Sequence, residues 1–134
     1  MRRVIVESPY ASRGAASVAE HVAYARRCVR DSVLQGEAPI ASHLLFTQEG
    51  ILNDADAGER RLGIDAGHAW LCVADAVVVY TDLGVSPGMY QGVQRAEIAK
   101  VPVEWRQLGE DVLREILPEL AQSVYGVDEG QRVT

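Results

Sequence analysis

The sequence predicts an open three-layer α/β domain built on a four- to five-stranded, mainly parallel sheet. Three observations carry that prediction. Short β-branched runs alternate with longer segments of helical periodicity, which is the pattern of parallel strands joined by helical crossovers. Polar loops rich in glycine, proline and serine follow two of those runs. The composition, with 48% hydrophobic and 24% charged residues over 134 positions, is that of one globular unit rather than a disordered chain.

The first run, Arg3 to Glu7, is continuous through Val4, Ile5 and Val6, as in a strand covered on both faces. A loop of Ser, Pro, Tyr, Gly and Arg covers Ser8 to Ala16. Ser17 and Glu20 have capping-box spacing, and behind them Val18, Val22, Ala25, Val29 and Val33 recur at helical intervals, with Gly36 as the stop. Ala38 to Phe46, broken by Pro39, reads as a weaker strand or a loop. Gln48 to Gly58 is polar and turn-rich. Asp56 to Glu59 opens a second helix, whose apolar stripe is Leu62, Ala66, Ala69, Trp70 and Val73.

Ala76 to Tyr80 is the clearest strand, and Thr81 to Gly88 is its exit loop. A third helix runs from about Pro87 to Lys100 with Met89, Val93 and Ala96 inward. Pro102 to Trp105 is a strand, and Glu110 to Leu120 is a last helix disturbed at Pro118. Residues 1–125 form the expected domain, and 126–134 a polar, flexible tail.

A net charge of −6 argues against binding a nucleic-acid polymer, which requires a basic face, but leaves a free nucleotide open. Cys28 and Cys72 belong to no CxxC or Cys/His cluster, and His21, His43 and His68 are scattered. No metal site and no cofactor are expected, and a reducing compartment is implied. The N-terminal apolar run is too short for a signal peptide and no segment approaches a membrane span, so the expectation is a cytoplasmic protein without membrane partners.

In parallel sheets ligands bind beyond the carboxyl ends of the strands, which singles out the two polar loops. Ser86-Pro87-Gly88 joins a favoured N-cap, a favoured first-turn proline and a residue without a side chain. The free N–H groups there, including that of Met89, attract an anion such as phosphate; equally, Ser86 simply caps its helix. In the other loop Ser8, Tyr10, Ser12 and Arg13 offer hydroxyls, a stacking face and a phosphate partner, or else a ring over the sheet edge beside a solvated arginine. Asp82 and Glu7, at the ends of strands, are candidate acid/base residues, although Asp82 also suits a turn beside Gly84. His68 and Trp70 fall in a helix, where packing or exposure is their ordinary role.

Four segments carry a resemblance: Val4-Ile-Val-Glu-Ser-Pro-Tyr10, Gly36 to Gln48, Glu59 to Gly67, and Val78 to Met89. The chain resembles the nucleoside 2-deoxyribosyltransferase-like superfamily, which includes 2'-deoxynucleoside 5'-monophosphate N-glycosidases. Its nearest likeness is to small, functionally uncharacterised phage and bacterial members. The resemblance implies a flavodoxin/Rossmann-like sheet, a nucleoside or nucleotide as the small-molecule partner, and a homo-oligomer that completes the site. Trp70, Leu71, Tyr90 and Trp105 are the large residues that one small sheet leaves incompletely covered.

In the resembling enzymes a glutamate about one turn into the helix after the Ser-x-Gly loop attacks the anomeric carbon. Here Gln91 or Gly92 fills that place, and the nearest downstream glutamate is Glu97. A covalent glycosyl-enzyme then lacks its usual nucleophile. Hydrolysis using Asp82 or Glu7 to activate water remains open. So do a binding-only protein that sequesters or senses a nucleotide and a scaffold with a vestigial pocket.

Overall fold

The computed structural model of the chain describes residues 1–11 and 16–126; Ser12, Arg13 and the tail from Val127 lie outside the described residues. Four strands, β1 (Arg2–Glu7), β2 (Glu37–Ile40), β3 (Ala76–Tyr80) and β4 (Val103–Arg106), form one sheet in the order β2-β1-β3-β4. All three pairings are parallel: Val4 lies opposite Pro39 and Ala76, and Val77 opposite Val103. The helices are α1 (Val18–Leu34), α2 (Ser42–Leu45), α3 (Ala57–Ala69), α4 (Pro87–Ile98), α5 (Glu110–Ile116) and α6 (Pro118–Tyr125).

The result is a flavodoxin/Rossmann-like three-layer sandwich. On one face of the sheet Val4, Val6, Ala76, Val78 and Tyr80 pack against Tyr24 and Cys28 of α1 and against Leu113, Leu120 and Ala121 of α5 and α6. On the other, Ile5, Val77 and Val79 pack against Met89, Val93 and Ala96 of α4. Each inner strand therefore feeds two cores by simple alternation, and every residue of β3 is buried.

Several local expectations hold. Ser17 and Glu20 form the capping box of α1, and Gly36 stops that helix at φ 84°, a conformation that suits glycine. Pro118 divides the last helix in two, because the residue before a proline is forced out of the helical region; Leu117 has φ −140° and ψ 65°.

Other expectations need correction. The second strand is Glu37–Ile40 rather than part of Ala38–Phe46, and Ser42–Leu45 is helical. Pro39 is tolerated because β2 is an edge strand. The buried face of α1 is His21, Tyr24, Ala25, Cys28 and Ser32; of the expected stripe Ala25 is buried and Val29 packs partly on the core, whereas Val18 and Val33 are exposed, Val33 by 53%. In α3 the apolar stripe faces outward, with Leu62 62% exposed. Its inward face is small because the packing is close. A Cβ on Gly67 would stand 2.8 Å from Ser42 Cβ, and one on Gly63 would stand 3.2 Å from Leu52 Cδ1. Among the described residues no helix is long and apolar enough to cross a membrane.

Candidate functional site

The carboxyl ends of β1 and β3 open into a cavity of about 640 Å³ between the sheet, α2, α3 and α4. That volume suits a small-molecule ligand. Phe46, Leu52, Ile64, Leu71 and Met89 supply its apolar walls, while Glu7, Ser8, Tyr10 and His43 supply polar groups. Five of the residues singled out from the sequence besides Glu7 meet here: Ser8, Tyr10, Ser86, Gly88 and Met89. Arg13 lies outside the described residues. Asp54, Glu59 and Arg60 also line the cavity.

Glu7 is the last residue of β1 and alternates onto the α4 side of the sheet, together with Ile5 and Val77. Its carboxyl group rests against α4 at Gly92, with Cδ 2.6 Å from where a Cβ on residue 92 would stand. No hydrogen bond or ion pair reaches that carboxyl from the described residues. Burial alone pushes it up to about 8, so the group carries its proton at neutral pH.

Ser8 Oγ and His43 Nε2 are 2.6 Å apart. Burial, and secondarily the neighbouring His21, drives His43 down to about 4. Its imidazole is therefore neutral above about pH 4, and between there and about pH 8 it coexists with a protonated Glu7. His21 Nδ1 donates to the Tyr10 carbonyl at 3.2 Å, tying the first loop to α1. His68 lines the same cavity, is lowered by burial, and has a buried Nδ1 without a hydrogen-bond partner among the described residues.

At the start of α4, Ser86 Oγ accepts from the Met89 N–H at 3.3 Å and the Ser86 carbonyl accepts from Tyr90. Capping thus consumes two of the donors that an anion would use. The Gly88 N–H keeps no acceptor among the described residues, and a Cβ there would meet nothing closer than Ser86 Oγ at 4.0 Å.

Asp82 stands apart from the cavity. Its carboxylate accepts from Tyr24 Oη at 2.6 Å and from the backbone N–H groups of Leu108 and Gly109 at 2.8 and 3.0 Å. It is buried and joins the loop after β3 to the loop after β4. Burial raises the Tyr24 hydroxyl well above its ordinary range, so that hydroxyl remains a donor.

His43 was not distinguishable in the sequence from the other histidines. Its partner, Ser8, is 35 positions away, and such a pair has no spacing signature. The only sequence signal was its position inside the Gly36 to Gln48 segment. Among the described residues no group of three or more His, Cys, Asp or Glu side chains is arranged to hold a metal ion.

No curated protein and no solved structure matches the chain. One family does, over residues 2–106, a span that runs from β1 through β4 and includes every cavity-lining residue. The chain belongs to that family, described as a domain of unknown function (DUF7768).

Proposed function

We propose that the domain binds a nucleoside or nucleotide in this cavity and hydrolyses its N-glycosidic bond, with Glu7 as the general acid. The observation that carries the proposal is the Glu7 carboxyl lying over Gly92 with no hydrogen-bond partner among the described residues, where burial raises it to about 8. The resemblance to the deoxyribosyltransferase-like enzymes supports the substrate class and the position. A helix-borne carboxylate is missing at residues 91 and 92, and the Glu7 carboxyl lies against that point of α4 from the strand side.

A protonated carboxyl is no nucleophile, so the chemistry differs from covalent glycosyl transfer. Water attacks the anomeric carbon as the C–N bond breaks, the departing base nitrogen takes the Glu7 proton, and the proton lost by water ultimately restores Glu7. Phe46, Leu52, Ile64 and Met89 offer apolar walls for a planar base.

The test is release of free base from a panel of deoxynucleosides and their 5'-monophosphates. The Glu7→Gln variant is expected to lose roughly 10²–10⁴-fold in rate. Wild-type protein that releases no base, yet is stabilised against heat by one of these ligands, is instead a protein that sequesters or senses a nucleotide. The same reading places the protein in the cytoplasm as a homo-oligomer. The free thiols of Cys28 and Cys72 and the exposed Trp70, Tyr90 and Trp105 support it. A monomer mass by light scattering at micromolar concentration would remove the oligomer.

A further inference from the structure

Hydrolysis leaves one proton unassigned: the attacking water must give up a proton while Glu7 is still supplying one to the leaving base. The cavity holds a second polar element suited to that task. Ser8 Oγ lies 2.6 Å from His43 Nε2, and both residues line the same cavity as Glu7. The two elements come from different parts of the fold: β1 supplies Glu7 and Ser8, and α2 supplies His43. Adjacent residues at a strand end project to opposite sides, so Glu7 points toward α4 while Ser8 reaches α2. Both residues line the cavity.

We propose that Ser8, backed by His43, is the proton acceptor for the attacking water, with Ser8 touching the water and His43 acting through it as a positioning residue. The inference rests on the hydrolytic reading of the cavity. As water adds to the anomeric carbon, its proton passes to Ser8 Oγ and the Ser8 hydroxyl proton passes to His43 Nε2. The C–N bonding pair goes to the base nitrogen, which takes the Glu7 proton. The cycle ends with imidazolium at His43 and carboxylate at Glu7, and solvent returns the proton from one to the other.

Charged and titratable groups around this element are His21 from α1, Glu7 from β1, Tyr10 from the loop after it, His68, Glu59 and Arg60 from α3, and Asp54 from the loop before α3. The cavity-lining residues of α4 carry no charge. Burial and His21 hold the His43 imidazole neutral down to about pH 4, so acceptor and acid are both in their working forms between about pH 4 and pH 8.

The experiment is steady-state hydrolysis of whichever deoxynucleotide the wild-type chain cleaves. It compares Ser8→Ala, Ser8→Thr, His43→Gln and the Ser8→Ala/His43→Gln double variant. Ser8→Ala is expected to lower kcat by about 10²-fold while KM changes by less than about threefold. Ser8→Thr, which keeps the hydroxyl, recovers much of the rate. The double variant is no worse than the more damaged single one, since the two residues act as a unit. The wild-type rate falls on approach to pH 4, whereas Ser8→Ala shows no such limb. Ser8→Ala removes one oxygen atom, so the test survives if His43→Gln fails to fold. A wild-type kcat in Ser8→Ala, or losses that multiply, overturns this assignment alone if Glu7→Gln is inactive. Wild-type protein inert on the whole panel overturns it together with the hydrolytic reading.

Discussion

The carboxyl carbon of Glu7 lies 2.6 Å from the point at which a Cβ on residue 92 would stand, so the strand residue occupies space that only glycine on α4 leaves free. Gly92 is buried in the middle of that helix, where glycine is a poor choice on propensity alone. Its role is to admit the carboxyl.

This predicts an uncoupling of stability from function in Gly92→Ala. A helical alanine gains about 0.5–1 kcal/mol over glycine, and the obstructing group is the end of a flexible side chain that can swing into the cavity. Thermal unfolding should therefore change by only a few degrees, while base release or ligand binding is lost with the displaced carboxyl. Parallel measurement of melting temperature and turnover checks this; unchanged turnover would detach Glu7 from the chemistry.

Asp82 should behave in the opposite way. Its three accepted hydrogen bonds, from Tyr24, Leu108 and Gly109, hold together two loops beneath the last helices. Hydrogen bonds to charged groups contribute roughly 1.5–3 kcal/mol each. Asp82→Ala should lower the urea midpoint substantially, and folded protein at low temperature should retain its turnover per molecule. A variant as stable as wild type but inactive would return Asp82 to the catalytic site.

These two acidic residues show what the sequence made legible. Both stand at or just beyond strand ends, and their local patterns are equivalent; only the long-range neighbours separate them. β1, β3 and α4 were readable because β-branched runs and a Ser-Pro cap act locally. The inward faces of α1 and α3 were not. On α1, Tyr24 is buried by its bond to Asp82 across the fold and Ser32 by its bond to Glu37 at the start of β2, which turns Val18 and Val33 outward. On α3, Gly63 and Gly67 turn inward because neighbouring side chains leave no room for anything larger. Periodicity finds the most apolar stripe, whereas packing here selects the narrowest one.

The amino-terminal residues of β1 and β2 join a cluster that should govern acid stability. Glu37 receives both Arg106 nitrogens, at 2.7 and 2.8 Å, together with Ser32 and Arg2 at 2.9 Å each. The Arg106 bonds, above all, hold its carboxyl at about 2, against an ordinary value of 4.5. Because folding lowers this value, the stabilisation is complete above about pH 4.5 and is lost as pH falls toward 2. Its size is on the order of 3 kcal/mol. Urea midpoints from pH 6 to 2 should fall for wild type. Glu37→Gln should start lower, since it leaves the largely buried Arg106 guanidinium with only the longer Glu104 ion pair at 3.4 Å, and fall less.

Glu7 predicts a slope in the other direction. Folding raises its value from 4.5 to about 8, so its contribution is fully present below about pH 4.5 and is lost as pH rises through 8. Wild-type stability should decline over that interval. Glu7→Gln, which is always neutral, should remove this part of the decline and leave the protein more stable than wild type at pH 8.5. Coincident stability profiles for the two proteins would mean that the carboxyl is solvated and ionised in the folded state.

The start of α4 distinguishes nucleotides from nucleosides. With Met89 and Tyr90 N–H groups engaged by Ser86, a phosphate bound there depends on the Gly88 N–H, the hydroxyl of Ser86 and the positive end of the helix dipole. Ser86→Ala is a poor probe because losing the cap costs about 1 kcal/mol without any ligand. Gly88→Val is better, since the space beside Gly88 is open and nothing closer than 4.0 Å opposes a Cβ, so the fold should survive. The new side chain would stand between the phosphate and its remaining donor. Titration calorimetry should show a loss of about tenfold or more in nucleotide affinity, equivalent to at least ~1.4 kcal/mol, and a smaller loss for the unphosphorylated nucleoside. Equal losses for both would move the phosphate away from α4, with Arg60 of α3, which also lines the cavity, as the next residue to replace.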